Sequence, residues 1–244
     1  MKIAEDTYIV ASGDAGFSLS HYRDCTVFLV DGGEEMLLID AGIGVDADHI
    51  VENIKKEGLQ PEKVKKILLT HGHADHSGGA LALSKMLNAE VFAAKETADF
   101  VTRGDEKAIS LLEAKKAGAY EANYVYNACP VRALEDGDTI RAGRHGLKLL
   151  STPGHCDGHA AYYAEIAGKR VLFSGDLVFP FGRVILQNIW DCRIPEYADS
   201  MNKVRNLKIH SLYCSHGCVM LERGYTAVEA ACAAFEKLGV PEGL

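Results

Sequence analysis

The sequence predicts an α/β fold of two β-sheets covered by helices, and three observations carry that expectation. Short runs rich in Val, Leu and Ile recur in both halves of the chain. Amphipathic or Ala/Leu-rich segments of helical length separate them. No Pro/Gly/Ser-rich linker or low-complexity run interrupts the 244 residues, which are read as a single domain, 1–244.

In order, 26–30 and 36–39 read as strands joined by an Asp31-Gly32-Gly33 turn, the pattern of a hairpin. Residues 46–56 form an amphipathic helix stopped by Gly58 and Pro61. The apolar strand 67–69 runs into His71, and 80–87 (helix) and 90–94 (strand) follow. The stretch 97–118, filled with Ala, Leu, Glu and Lys, is expected to be helical and partly exposed. The second half repeats the order with strands at 138–141, 147–150, 160–166 and 170–173, a helix at 195–204, a strand at 211–214 and a closing helix at 226–238.

Apolar residues make up 48% of the chain, enough for a sizeable core. The formal net charge of −8 gives no counterion-release gain on a polyanion, so nucleic acid is not expected as a partner. No apolar run reaches the roughly 18–20 residues of a membrane span. Glu5 and Asp6 stand where a secretory signal needs bases, and seven dispersed cysteines do not form a disulfide framework. The expected location is cytoplasmic, the expected partner a small-molecule substrate, and the apolar C-terminal helix offers a homodimer contact.

The chemistry concentrates in His71-Gly72-His73-Ala74-Asp75-His76, directly after a strand. Neutral imidazoles bind zinc, iron or manganese, and a carboxylate adds negative charge. A turn leaving a strand can aim His71 and His73 one way and Asp75 and His76 another, serving two adjacent metals. Further ligand types stand just past later strands: His155 in Thr152-Pro153-Gly154-His155, Asp176 in Ser174-Gly175-Asp176, and His216 in Cys214-Ser215-His216-Gly217. Ser77-Gly78-Gly79 is small enough to turn tightly into the next helix.

This set resembles the metallo-β-lactamase-fold superfamily over residues 26–217, in its glyoxalase II and lactonase-like branch. The resemblance implies a four-layered αβ/βα sandwich with metals at one edge of the paired sheets. It also implies a ligand assignment: His71, His73 and His155 on one ion; Asp75, His76 and His216 on a second; Asp176 between them. Two divalent ions follow, zinc first, with iron or manganese fitting the same donors. Asp40 matches the acid that the family places behind its ligands to orient an imidazole. The implied reaction is attack of a metal-bridging hydroxide on an ester, thioester or lactone carbonyl, with Asp75 as catalytic residue, orienting the hydroxide and handing its proton to the leaving group. No G-x-S-x-G elbow suggests a serine nucleophile.

Asp176 stands where one lactamase class has Cys, which argues against antibiotic hydrolysis. Glyoxalase II enzymes carry a helical domain after the last histidine, and a single helix is read here. Acyl-homoserine lactonases place Tyr three residues after the bridging Asp, where this chain has Phe179, so Tyr162 or Tyr163 would have to supply that hydroxyl. The alternative is an iron-dependent oxidoreductase of the same fold, persulfide dioxygenase-like or flavodiiron-like; the full seven-ligand set favours the hydrolase. A substrate pocket is expected along 179–193, walled by Phe179, Arg183 and Trp190, with His159 either against substrate or behind the metal ligands. Residues 97–127, with Tyr120, Tyr124 and Tyr126, are read as a lid.

Overall fold

A computed structural model describes residues 1–244. Seven strands form the first sheet in chain order: β1 (Lys2–Ala4), β2 (Thr7–Ala11), β3 (Val27–Asp31), β4 (Met36–Ile39), β5 (Val64–Leu68), β6 (Glu90–Ala94) and β7 (Arg132–Leu134). Pairing is antiparallel from β1 to β4 and parallel from β4 to β7. The second sheet runs β12 (Ser211–Cys214), β11 (Lys169–Gly175), β10 (Ala160–Ile166), β9 (His145–Ser151), β8 (Thr139–Ala142). Only β11 and β12 pair in parallel there.

The period-2 alternation of strand side chains builds the layers. In β3 and β4, Phe28, Val30, Leu37 and Ile39 face the second sheet and meet Leu147, Leu149, Tyr162, Phe173 and Tyr213. Their neighbours Leu29 and Leu38 face outward, against Ile50 and Ile54 of α1 (Ala47–Lys56) and Leu83 and Leu87 of α3 (Ala80–Leu87). On the far side, Leu150, Ala161, Leu172 and Leu212 pack on α6 (Ile194–Arg205) and α7 (Tyr225–Glu236) through Tyr197, Met201, Val228 and Ala231. Every sheet face is therefore covered, and the four-layered αβ/βα sandwich holds. No helix is long and apolar enough to cross a membrane.

Three strands and one break depart from the sequence expectation. β1, β2 and β7 are absent from it, β2 although all five of its residues are buried. The helical stretch 97–118 is two helices, α4 (Lys95–Arg103) and α5 (Leu111–Lys116). Gly104, at φ +63°, ends α4 in a left-handed cap whose N–H closes on Val101. The short α2 (Ala74–Ser77) holds the centre of the histidine motif. Gly78 and Gly79 follow it at a close backbone approach: a Cβ on Gly79 would lie 2.1 Å from the Ala41 carbonyl oxygen, and one on Gly78 2.5 Å from that of Ile43. Their smallness seats the motif against the loop after β4.

Candidate metal centre

β4 and β5 run parallel, as do β11 and β12, and β9 lies antiparallel to their common neighbour β10. Five strands thus end at the same edge. Asp40 follows β4, His71 follows β5 by way of Thr70, His73 begins α2, and Asp75 and His76 lie within α2. His155 lies in the β9–β10 connection, Asp176 directly follows β11 and His216 follows β12. Side chains as much as 145 residues apart in sequence, His71 and His216, are so gathered into one cluster.

Two groups form within it. His73 Nδ1 lies 3.0 Å from His71 Nε2 and 3.1 Å from His155 Nε2. In the other group, Asp75 Oδ2 lies 3.5 Å from His76 Nε2 and 3.4 Å from His216 Nε2. Asp176 faces both: Oδ2 is 3.5 Å from His155 Nε2 and from His216 Nε2, and Oδ1 is 3.6 Å from His76 Nε2.

The outer nitrogens of His71, His76 and His155 are anchored, which decides what their inner ones can do, whereas His73 Nε2 is buried without a partner. His155 Nδ1 lies 3.0 Å from the Ile185 carbonyl and must be the protonated nitrogen. That leaves a lone pair on Nε2. His76 Nδ1 lies 3.0 Å from Asp40 Oδ2, while its Nε2 is buried without a hydrogen-bond partner, as is Asp176 Oδ1. A lone pair facing carboxylate oxygens at 3.5–3.6 Å is repulsive unless a proton or a metal cation stands between them. The donor set of imidazole nitrogens and carboxylates, with an oxygen-anchored ring behind it, fits a divalent cation in each group.

Electrostatics agree. Burial and neighbouring His155 push His73 down to about 3. Burial alone would also lower His76, but Asp75, Asp176 and Asp40 outweigh it and lift it to about 9. His216 is raised in the same way, burial being overcome by Asp176 and Asp75. Burial would raise the Asp176 carboxyl, yet His216 and His76 hold it well below its ordinary range. The carboxylate side of the cluster therefore attracts positive charge, and the three-histidine side offers neutral lone pairs.

Asp40 lies behind His76 with its own backbone at φ +65°. Thr70 ties the two together: its N–H donates to Asp40 Oδ1 at 2.7 Å, and its hydroxyl lies 3.0 Å from His71 Nδ1 and 2.9 Å from Asp40 Oδ2. Sequence alone does not single out Thr70, which only its place before His71 marks.

The substrate-side expectations need correction. A cavity of about 510 Å³ opens onto His73, Asp75, Asp176 and His216. From 179–193 only Ile185, Gln187, Asn188 and Ile189 line it. Phe179 does not: its backbone is extended and its ring is fully buried, 6.4 Å from that of His216. Arg183 is turned out toward Glu242, at 4.0 Å, because the chain reverses at Phe181 with φ +66°. Trp190 is 53% exposed and lies outside the cavity wall. His159 is buried behind the cluster rather than beside substrate. Its Nδ1 lies 3.0 Å from the Thr152 carbonyl, and its Nε2 accepts the Asp176 N–H at 3.1 Å, so it holds the backbone of Asp176. Tyr162 donates to the Leu69 carbonyl inside the core and Tyr163 lies on the helix-covered face, so neither hydroxyl reaches the cavity.

The opposite wall comes from the stretch read as a lid: Ile109, Leu111, Glu113, Ala114, Ala117 and Tyr120 line the cavity. Tyr120 donates to Asp75 Oδ1 at 2.7 Å, the carboxylate oxygen not facing the histidines. Tyr124 donates to the Ile43 carbonyl, and Tyr126 meets the Ser77 hydroxyl at 2.7 Å. Arg23 and Tyr22 clasp the end of this wall through Glu121, with Arg23 also donating to the Ala119 carbonyl and standing 5.5 Å over the Tyr120 ring. Tyr120 meets Asp75 across 45 residues, and no local spacing signals that contact.

The chain is similar to the hydroxyacylglutathione hydrolase of Chelativorans sp. (strain BNC1), at 25% identity over 88% of this chain and 67% of that protein. It is 30% identical to the hydroxyacylglutathione hydrolase of Methylobacillus flagellatus over 80% of this chain and 63% of that protein, so it spans about two thirds of these relatives' length. Among solved structures, BJP-1, a subclass B3 metallo-beta-lactamase of Bradyrhizobium japonicum, matches with TM-score 0.73 at 20% identity over 98% of this chain and 92% of that one. A metallo-beta-lactamase family protein of Thermus thermophilus matches with TM-score 0.72 at 24% identity, over 95% of this chain and 80% of that one. The family model for the metallo-beta-lactamase superfamily matches residues 20–216, which contain every candidate ligand, and the chain belongs to that superfamily.

Proposed function

We propose that the chain is a dinuclear metal-dependent hydrolase that cleaves an ester, thioester or lactone of a small molecule. His71, His73 and His155 would hold one divalent ion, Asp75, His76 and His216 the other, with Asp176 shared; zinc is the first choice for these donors. The observation that carries the reading is Asp176, whose carboxylate lies 3.5–3.6 Å from a histidine of the first group and two of the second. When bound, such ions supply Lewis acidity, lowering the pKa of water and polarising a carbonyl.

The chain's own groups then have defined tasks. Asp75 is the cluster's more open carboxylate, 17% exposed against 5% for Asp176. It would take the proton of the attacking water and return it to the leaving oxygen or sulfur. Tyr120 holds the other oxygen of that carboxylate and fixes its orientation. Ile109, Leu111, Ile185 and Ile189 exclude bulk water from the reacting carbonyl. The hydroxyacylglutathione hydrolases among its relatives support a thioester or ester over other bonds.

The test is a panel of esters, thioesters, lactones and phosphodiesters offered to protein reconstituted with zinc, iron or manganese. Cleavage of a carbonyl-centred bond that follows metal content supports the proposal. Iron-dependent oxygen uptake without hydrolysis would replace it with oxidoreductase chemistry.

A further inference from the structure

The cavity has an asymmetric charge. No lysine or arginine lines it, and the one carboxylic side chain of the wall outside the candidate metal centre is Glu113 on α5. Glu113 is half-buried, and its Oε2 has no hydrogen-bond partner. Two nearby cations are engaged elsewhere, while Lys116 on the same helix is exposed and outside the cavity wall. Lys115 pairs with Glu106 at 2.8 Å, and Arg23 is held by Glu121 and the Ala119 carbonyl. The remaining polar wall groups, Ser110, Tyr120, Gln187 and Asn188, are neutral.

A carboxylate oxygen that lacks a donor gains when a ligand brings one. Resting on the hydrolase reading, we infer that the site is built for a substrate with an apolar arm ending in an ammonium or another hydrogen-bond donor, which Glu113 receives. A substrate arm ending in carboxylate meets Glu113 with no lysine or arginine on the wall to offset it. The apolar part of the arm is matched by Ile109, Leu111, Ala114 and Ile189.

The experiment separates binding from turnover. Three six-carbon hydroxamates, ending in an ammonium, a methyl or a carboxylate, are titrated into the metal-loaded protein by calorimetry. The ammonium-ended probe is expected to bind about tenfold tighter than the carboxylate-ended one, the scale of one charge-assisted hydrogen bond. Glu113→Gln, nearly the same shape, should bring the ammonium-to-methyl affinity ratio close to one, and Glu113→Lys should invert the ammonium-to-carboxylate order. Equal or tighter binding of the carboxylate-ended probe by the unaltered chain overturns the inference, as does a ratio that Glu113→Gln leaves in place. Phenyl thioesters with the same three arms supply the second readout. Turnover led by the carboxylate-ended substrate overturns the inference while the hydrolase reading stands. The expected binding order with no turnover of any of the three upholds the inference and removes the thioesterase reading.

Discussion

His76 Nδ1 lies 3.0 Å from Asp40 Oδ2, and the Nε2 of the same ring lies 3.5 Å from Asp75 Oδ2 and 3.6 Å from Asp176 Oδ1. One imidazole therefore links a buried acid behind the cluster to the two acids inside it. Asp40 fixes which nitrogen carries the proton, and so which one is free to bind a cation.

Asp40→Asn should weaken metal affinity by roughly 10- to 100-fold, the usual effect of losing a carboxylate behind a histidine ligand. Competition against a chelating dye measures it. An unchanged affinity would mean that Asp40 serves only the turn at residues 40–42.

Tyr120→Phe removes the donor to Asp75 Oδ1 but none of the candidate ligands. Metal content should stay the same while kcat falls by about tenfold, the order of one hydrogen bond to a charged group. A rise in KM with kcat intact would instead make Tyr120 a simple part of the wall.

The metal-free chain should be most stable near pH 6.5. His73 and His159 are each held down to about 3 in the folded state, mainly by burial and then by neighbouring His155, against about 6.5 unfolded. Their contribution is present above pH 6.5 and is lost as pH falls toward about 3, at up to about 1.4 kcal/mol per pH unit for each. His76 has the opposite sign: Asp75, Asp176 and Asp40 overcome burial and raise it to about 9, so its contribution is present below pH 6.5 and is lost as pH rises through about 9. Urea midpoints of chelated protein between pH 4 and 10 check this, and a stability that climbs steadily in either direction would contradict it.

Arg23→Ala and Glu121→Ala release the clasp on the cavity wall, an exposed contact far from the core. Both should shift KM for bulky substrates relative to small ones, with metal content and melting temperature nearly unchanged. A parallel loss of metal would show that the 104–126 segment supports the cluster rather than the substrate.

The layers and the clustering of the seven candidate ligands are legible in the sequence because each depends on local pattern. Apolar runs such as 36–39 and 160–166 mark strands, and each ligand type stands just after one. What is not legible depends on long-range contact. β2, by contrast, carries a local signal, an apolar run bounded by Asp6 and Ser12-Gly13-Asp14, whereas β7 is a three-residue edge strand. The break falls at Gly104-Asp105, a local stop signal inside a stretch otherwise rich in helix formers. The pocket escapes a sequence reading because position after Asp176 does not determine direction: Phe179 turns into the core, Arg183 out to Glu242, and the wall is completed by Tyr120 and Glu113 from a segment more than 50 residues earlier.

Metal content and hydrolysis, measured together on the intact chain and on Asp176→Ala, test the central claim most directly. The account predicts about two divalent ions per chain for the intact protein, hydrolysis that disappears on chelation and returns on reconstitution, and for Asp176→Ala a folded chain with metal lost from both groups and no turnover. Full hydrolysis after exhaustive metal removal, or from folded Asp176→Ala, would contradict it.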